Sequence, residues 1–408
     1  MTISDVRESR SLLRIAGLPY FLIALVARLP FAMMVVGVLT AVVSVRGSLA
    51  LGGLTSAAVG LGTACFGALL GAAADAFGQR RVLLVLASAN AVALALFAAV
   101  VYGDTPDGLV LAAAFGIGAT APQVAPLSRA RLVTLIRRRV APERAPRTLS
   151  STMAYESAAD ETVFVIGPFI VGLLAAAIAP WAPLVGAAVL TAVFVGAFAL
   201  HPTGRLVAPG REDGAAPSSD VRDLFRPRVL VVVGGTLGVG LFFGSMLTSL
   251  TSFMADRGRA DEAGLMYGVM GIGSALFALG IAHLPARFSL AARWIAFASV
   301  LLAGSLSLLL AASPAAMACS LAVIGIGIGP TLVTQYSLAA ARSPEGRSAT
   351  VMTMVGSAVV VGQAMASALT GSVSETFGTP AALLLPIAAA ALVLIAAVAN
   401  VLLSRPRA

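Results

Sequence analysis

The chain has 408 residues, 59% of them hydrophobic and only 11% charged, with a mean hydropathy of +0.97. A soluble domain carries roughly a quarter charged residues, so a water-soluble globule is excluded. The formal charge of +9 does not signal nucleic acid, because most of the basic residues lie in the short breaks between apolar blocks.

Those blocks run to about 20 residues or more, the length a helix needs to cross roughly 30 Å of hydrocarbon. A transmembrane barrel would alternate polar and apolar residues over segments of about ten, and stretches such as Val229 to Met254 are apolar throughout. Twelve spanning helices are predicted: α1 at 17–45, α2 at 49–74, α3 at 82–102, α4 at 108–134, α5 at 151–178 and α6 at 181–200. The series continues with α7 at 229–254, α8 at 263–284, α9 at 292–312, α10 at 315–340, α11 at 349–374 and α12 at 380–403. The first block contains Arg28 and Pro30 and lacks a small-residue cleavage site, so it reads as a retained helix rather than a signal peptide.

Every basic residue is arginine, which with the heavy alanine use fits the coding bias of a GC-rich bacterial genome. Counting the breaks alternately puts Arg7, Arg10, Arg14, Arg80, Arg81, Arg137 to Arg139, Arg144, Arg147 and the arginines from Arg205 to Arg228 on one side. Arg287, Arg293, Arg342, Arg347, Arg405 and Arg407 join them, leaving Arg46, Arg257 and Arg259 on the other. By the positive-inside rule both termini are cytoplasmic, and the expected location is a bacterial inner membrane.

The longest polar break, residues 201–228, is rich in Pro, Gly, Ser and charge, as a flexible linker is. It separates a six-helix bundle at 1–200 from a second at 229–408. Shifting the sequence by 211 residues lays Gly60, Gly62, Ala64 and Phe66 on Gly271, Gly273, Ala275 and Phe277, and Arg46-Gly47 on Arg257-Gly258. Gly116-Ile117-Gly118 recurs at Gly325-Ile326-Gly327, and Pro142-Glu143 at Pro344-Glu345. Repeated halves of this kind build transporters with a midplane site that opens alternately to each side.

Between α2 and α3 the chain reads GALLGAAADAFGQRR, Gly67 to Arg81. Asp75 ends α2 where an acid can accept hydrogen bonds from the positive N-terminus of a neighbouring helix, and α11 begins near Ser348 on the same face. The alternative is a plain helix-ending turn, allowed by Gly78 and anchored to headgroups by Arg80 and Arg81. Gly71, Asp75, Gly78, Arg80 and Arg81 resemble the loop that the major facilitator superfamily carries between its second and third helices. Ala76 and Gln79 stand where the family usually has basic residues. The resemblance implies an all-α fold of two pseudo-symmetric six-helix bundles, with the Asp75 contact acting as a latch.

Helix α5 carries Glu156, Asp160 and Glu161, then Gly167, Pro168 and Gly172. An ionisable residue at a membrane helix centre costs about 2.5–3.5 kcal/mol on insertion scales, so such residues face a cavity or a partner. Glu156 and Asp160 share a helical face while Glu161 points about 100° away. Arg28 in α1 lies at similar depth and is the natural countercharge; Arg129 and Arg131 in α4 are alternatives for Glu156. The acids then either exchange protons and bind cargo or form a fixed ion-pair cluster joining α1, α4 and α5. Pro168 is expected to kink α5, with Gly167 and Gly172 permitting close helix approach. The Gly167-Pro168 element with Gly172 also resembles the antiporter motif of the superfamily, which implies export by exchange.

Further polar or adaptable residues expected to line a substrate cavity are Met34, Gln123, Tyr155, Gln335, Tyr336 and Gln363. Cys65 and Cys319 read as buried thiols, and His201 and His283 have no partners from which to build a metal site. The leading expectation is a proton-coupled exporter of small apolar or cationic compounds. It needs no cofactor beyond the proton gradient, works as a monomer in the lipid bilayer, and is not an enzyme. A uniporter or importer of an anionic metabolite bound by Arg28, a lipid flippase and a non-transporting receptor are the alternatives.

Overall fold

The computed structural model describes residues 15–206, 220–259, 262–281, 284–285 and 287–404. Arg7, Arg10, Arg14, Arg211, His283, Arg405, Arg407 and residues 207–219 of the predicted linker lie outside this set. Among the described residues there is no strand, and the apolar blocks form twelve helices. They are α1 (Leu18–Arg46), α2 (Leu49–Phe77), α3 (Gln79–Tyr102), α4 (Asp107–Arg139), α5 (Ala145–Ala177) and α6 (Ala182–Leu200). The later six are α7 (Pro227–Ala255), α8 (Ala263–Gly280), α9 (Leu290–Leu310), α10 (Pro314–Arg342), α11 (Ser348–Phe377) and α12 (Thr379–Ser404). Eleven are long and apolar enough to cross a membrane; α8, with its apolar stretch at Met266–Gly280, is the short one.

Among the helices that depart from regular geometry, α1 and α4 do so beside prolines. Pro30 has no N–H and its ring collides with the carbonyl four residues earlier, so α1 breaks at Ala27–Arg28 between segments Leu18–Val26 and Leu29–Arg46. Helix α4, predicted as one piece, is interrupted at Ala121–Gln123 around Pro122 and resumes at Val124. In α6 a π-helical turn occupies Thr191–Val195. Helix α5 starts at Ala145, six residues before its predicted start at 151.

Contacts gather the described residues into two compact units. The first draws on Met1–Thr148, Ala159–Ser219 and Glu345–Ser357, the second on Leu149–Ala158, Asp220–Pro344 and Ala358–Ala408. Helices α5 and α11 therefore each contribute to both units.

Within the first unit α2 and α4 cross at glycines. A Cβ on Gly118 would lie 1.9 Å from the Val59 carbonyl oxygen, and one on Gly62 would lie 2.3 Å from that of Phe115. In the second unit, a Cβ on Gly329 would lie 2.2 Å from the Ser274 carbonyl oxygen and one on Gly325 2.6 Å from that of Met270. The 211-residue shift takes Val59 to Met270, Thr63 to Ser274 and Gly118 to Gly329. By contact, however, Gly325 is the counterpart of Gly118, since it meets Met270 and Ser274 where Gly118 meets Val59 and Thr63. The match of Gly116-Ile117-Gly118 to Gly325-Ile326-Gly327 read from sequence is therefore two residues out of register with the crossing.

The repeated arginines do the same work in both halves. Arg46 donates to the carbonyls of Val100, Val101, Gly103 and Thr105 at 2.7–3.2 Å, closing the end of α3. Arg257 donates to the Ala312 carbonyl at 3.1 Å, again 55 residues downstream. Gly47 and Gly258, with φ of 64° and 69°, supply the left-handed turn after each helix.

Large apolar side chains on the outer helix faces, such as Leu54, Leu61 and Leu69 on α2, are more than half exposed, as lipid-facing positions are. Cys65 and Cys319 are free thiols and are exposed too, which corrects the expectation that both are buried. In a membrane helix the apolar environment of a thiol is lipid as often as protein.

The crossing predicts that Gly118→Ala and Gly329→Ala each lower stability by about 1–3 kcal/mol, the range for overpacking. Gly116→Ala, where nothing lies within 4 Å, leaves the melting temperature unchanged in detergent thermal-shift assays.

Candidate functional site

The break in α1 leaves Arg28 as the N-cap of its second segment, only 4% exposed. Arg129 lies on α4 just beyond the Pro122 interruption and is 1% exposed. Both guanidiniums reach Asp160 on α5: Arg129 Nη2 is 2.6 Å from Oδ2 and Arg28 Nη1 is 3.4 Å from Oδ1. The side chain of Asp160 is itself 23% exposed. All three residues belong to the first unit, so the predicted pairing of Arg28 with an α5 acid is present, and Arg129 joins Asp160.

Glu156 is fully buried one turn earlier, in the part of α5 that contributes to the second unit. The side chains of Glu161 and Pro168 lie outside the described set, although α5 runs as one helix through both positions. Gly167 does permit a close approach, since a Cβ there would sit 2.7 Å from Ala32 Cβ of α1. Gly172 does not: nothing lies within 4 Å of it, a correction to the expectation that both glycines mark helix contacts.

The expected cavity residues separate. Met34, 1% exposed, packs in the apolar core of the first unit with Leu94, Phe97 and Ile117. Gln123 is buried at the α4 interruption, where Nε2 donates to the Ala121 carbonyl at 3.2 Å, so it repairs its own helix break. Tyr155 and Gln363 are half-buried. Tyr336 is buried, and Gln335 is fully buried with no hydrogen-bond partner for its amide among the described residues.

Asp75 is held as its position at the end of α2 suggested. It accepts from the Ala349 N–H at 3.0 Å and from the Thr350 N–H and hydroxyl at 2.7 and 2.6 Å. These are donors at the positive end of α11, in the stretch of that helix assigned to the first unit. Gly71 makes the approach possible, because a Cβ on it would lie 1.9 Å from Thr353 Oγ1. Gly78 has φ of 87° and turns the chain directly into α3. Arg80 and Arg81 stand outward, half-buried and exposed.

A third buried cation was not read from the sequence as a structural hub. Arg131, fully buried, donates from Nε to Gln79 Oε1 at 3.0 Å and from Nη1 to the Phe198 carbonyl at 2.9 Å and Thr203 Oγ1 at 3.3 Å. Its guanidinium also lies 4.0 Å from the Phe198 ring centroid. Gln79 thus receives a basic group from α4 where the family resemblance leads one to expect a basic residue at 79 itself. Burial, reinforced by the Arg131 charge, holds His201 below the usual histidine range, so its ring is neutral at neutral pH. The 211-residue shift carries Arg131 onto Arg342, which binds Asn400 and Ser404 at the end of α12. Both arginines therefore tie the fourth helix of their half to the end of the sixth.

The sequence profile of the Major Facilitator Superfamily matches residues 20–364. The chain belongs to the major facilitator superfamily. No curated protein sequence matches it. Among solved structures, this superfamily member is similar to a bacterial homologue of the iron transporter ferroportin in an outward-facing state. That match has a TM-score of 0.74 and 18% identity, covering 94% of this chain and 98% of the other. It is also similar to the human organic anion transporter MFSD10 (TM-score 0.71, 19% identity, 93% and 97% covered). The E. coli fucose:proton symporter matches at TM-score 0.67 and 16% identity, over 97% and 100% of the two chains. At these identities the likeness establishes the fold. With the family match, it makes the superfamily member a multi-pass membrane transporter rather than an enzyme.

Two measurements check this geometry. Asp75→Ala raises hydrogen exchange at the Ala349 and Thr350 amides, and Asp75→Asn, which keeps one acceptor oxygen, raises it less. Arg131→Lys keeps the charge but not the planar fork, and lowers stability by about 1.5–3 kcal/mol, the worth of a hydrogen bond to a charged group.

Proposed function

We propose that this transporter is a proton-coupled secondary carrier working by alternating access, in which Asp160 changes partners during the cycle. The observation that carries the reading is the contrast in exposure between Asp160, at 23%, and the guanidiniums of Arg28 and Arg129, at 3% and 2%. A carboxylate that is not wholly enclosed leaves a path for a proton, and a neutral Asp160 releases both cations. The proton gradient is then the energy source, and no cofactor is required. Asp75 supplies the cytoplasmic latch: opening that side breaks its three hydrogen bonds to the start of α11. Arginine sidedness supports a bacterial inner membrane with both termini cytoplasmic, and one complete pair of repeats supports function as a monomer.

A second reading, efflux of small apolar or cationic compounds by antiport, draws on Glu156. That acid is fully buried on α5, and a buried membrane carboxylate is a natural partner for a cation. Asp160 contributes less to this reading, since two arginines already neutralise it.

Proteoliposomes loaded with the pH dye pyranine test the coupling when a panel of small organic anions and cations is added outside. The expected result is cargo-dependent proton movement in the wild type and its loss in Asp160→Asn protein that still melts cooperatively. Proton movement that persists in Asp160→Asn removes Asp160 from the coupling step.

A further inference from the structure

The immediate surroundings of Asp160 bear on the sign of the cargo. Two buried guanidiniums, delivered by separate helices that are each interrupted by proline nearby, converge on a single carboxylate. That carboxylate is the partly exposed member of the group. One turn along the same faces, Phe31 follows Arg28 on α1 and Phe164 follows Asp160 on α5. Their rings meet edge to face with centroids 6.4 Å apart, and Phe164 is 53% exposed. A planar guanidinium pair beside uncovered aromatic surface is matched by a molecule with a carboxylate, sulfonate or phosphonate at one end and an apolar body at the other.

We propose that Arg28 and Arg129 form the binding subsite for such an organic anion, with Asp160 as the internal anion that the cargo displaces. This rests on the reading of Asp160 as the exchangeable carboxylate. As Asp160 leaves the arginines it takes up one proton and becomes neutral, and the anionic head of the cargo takes its place between the two guanidiniums. On release the proton leaves Asp160, and the carboxylate closes again on Arg28 and Arg129. One proton and one negative charge therefore move together, which makes the cotransport electroneutral for a monoanion.

Removing the internal competitor must strengthen anion binding, whereas a site built for cations would lose affinity. In purified protein, benzoate binding followed by thermal shift is expected to be about tenfold tighter in Asp160→Asn than in the wild type, the worth of one charge-assisted hydrogen bond. Benzamide and benzylamine are expected to produce no such gain, and Arg129→Gln in the Asp160→Asn background abolishes it. Asp160→Ala adds a second arm: acetate restores its melting temperature, while acetamide with sodium chloride at matched ionic strength does not. Stabilisation of Asp160→Asn by none of benzoate, acetate or inorganic phosphate overturns the proposal, as does stabilisation of the wild type by benzylamine that Asp160→Asn loses. If the proposal fails in this way while Asp160-dependent proton movement persists in vesicles, the coupling stands and only the cargo class is wrong. Absence of that proton movement with intact anion binding has the opposite meaning.

Discussion

Two guanidinium groups with almost no contact with solvent sit inside this bundle with one carboxylate closed on both. The Arg28–Asp160–Arg129 cluster sets demands that the neighbouring helices meet. Pro30 breaks α1 beside Arg28, and the Pro122 interruption precedes Arg129 on α4. Helix α5 runs on without interruption past Asp160, and Gly167 lets it lie against α1. Removing a charge from water costs several kcal/mol even after relaxation, so these irregularities and the ion pairs have to be considered together. An unbroken α1 would carry Arg28 on a different path and leave Asp160 with one partner fewer.

Around the cluster the scaffold is held by backbone approach more than by side-chain bulk. Glycines at 62 and 118 in the first unit and at 325 and 329 in the second let helices touch at their carbonyls, a form of packing suited to a medium where burying apolar side chains against one another brings little gain over lipid. The Asp75 contact uses the same device. Gly71 brings α2 close enough for Asp75 to meet three donors at the start of α11, and a side chain there would hold the acid away from them.

The parts of this structure that were legible in the sequence are those carried by length or by charge. Apolar runs of spanning length located the twelve helices. Asp75 and the start of α11 could be joined because an acid and a helix N-terminus on the same face are complementary, and Arg28 could be matched to an α5 acid by depth. What escaped was carried by features a one-dimensional pattern does not contain. Arg131 satisfies itself with a backbone carbonyl, an amide and a hydroxyl, none of which announces a charged partner. Met34 and the two cysteines were misjudged because helices that are apolar all round do not distinguish a core face from a lipid face. Gln123 is polar for the benefit of its own broken helix, and the GIGIG run conceals its register by repeating every second residue.

The clasp made by Arg46 has a consequence for the order in which the protein is made. All its acceptors lie between Val100 and Thr105, so it can close once the first three helices have left the ribosome. Arg28 must wait for Asp160, and Asp75 must wait until Thr350 has been synthesised. Domains generally fold from the N-terminus as the chain emerges. The nascent protein therefore assembles its Arg46 corner first, its charged cluster second and the Asp75 contact last, and the arginine repeat at Arg257 lets the second half begin the same sequence independently.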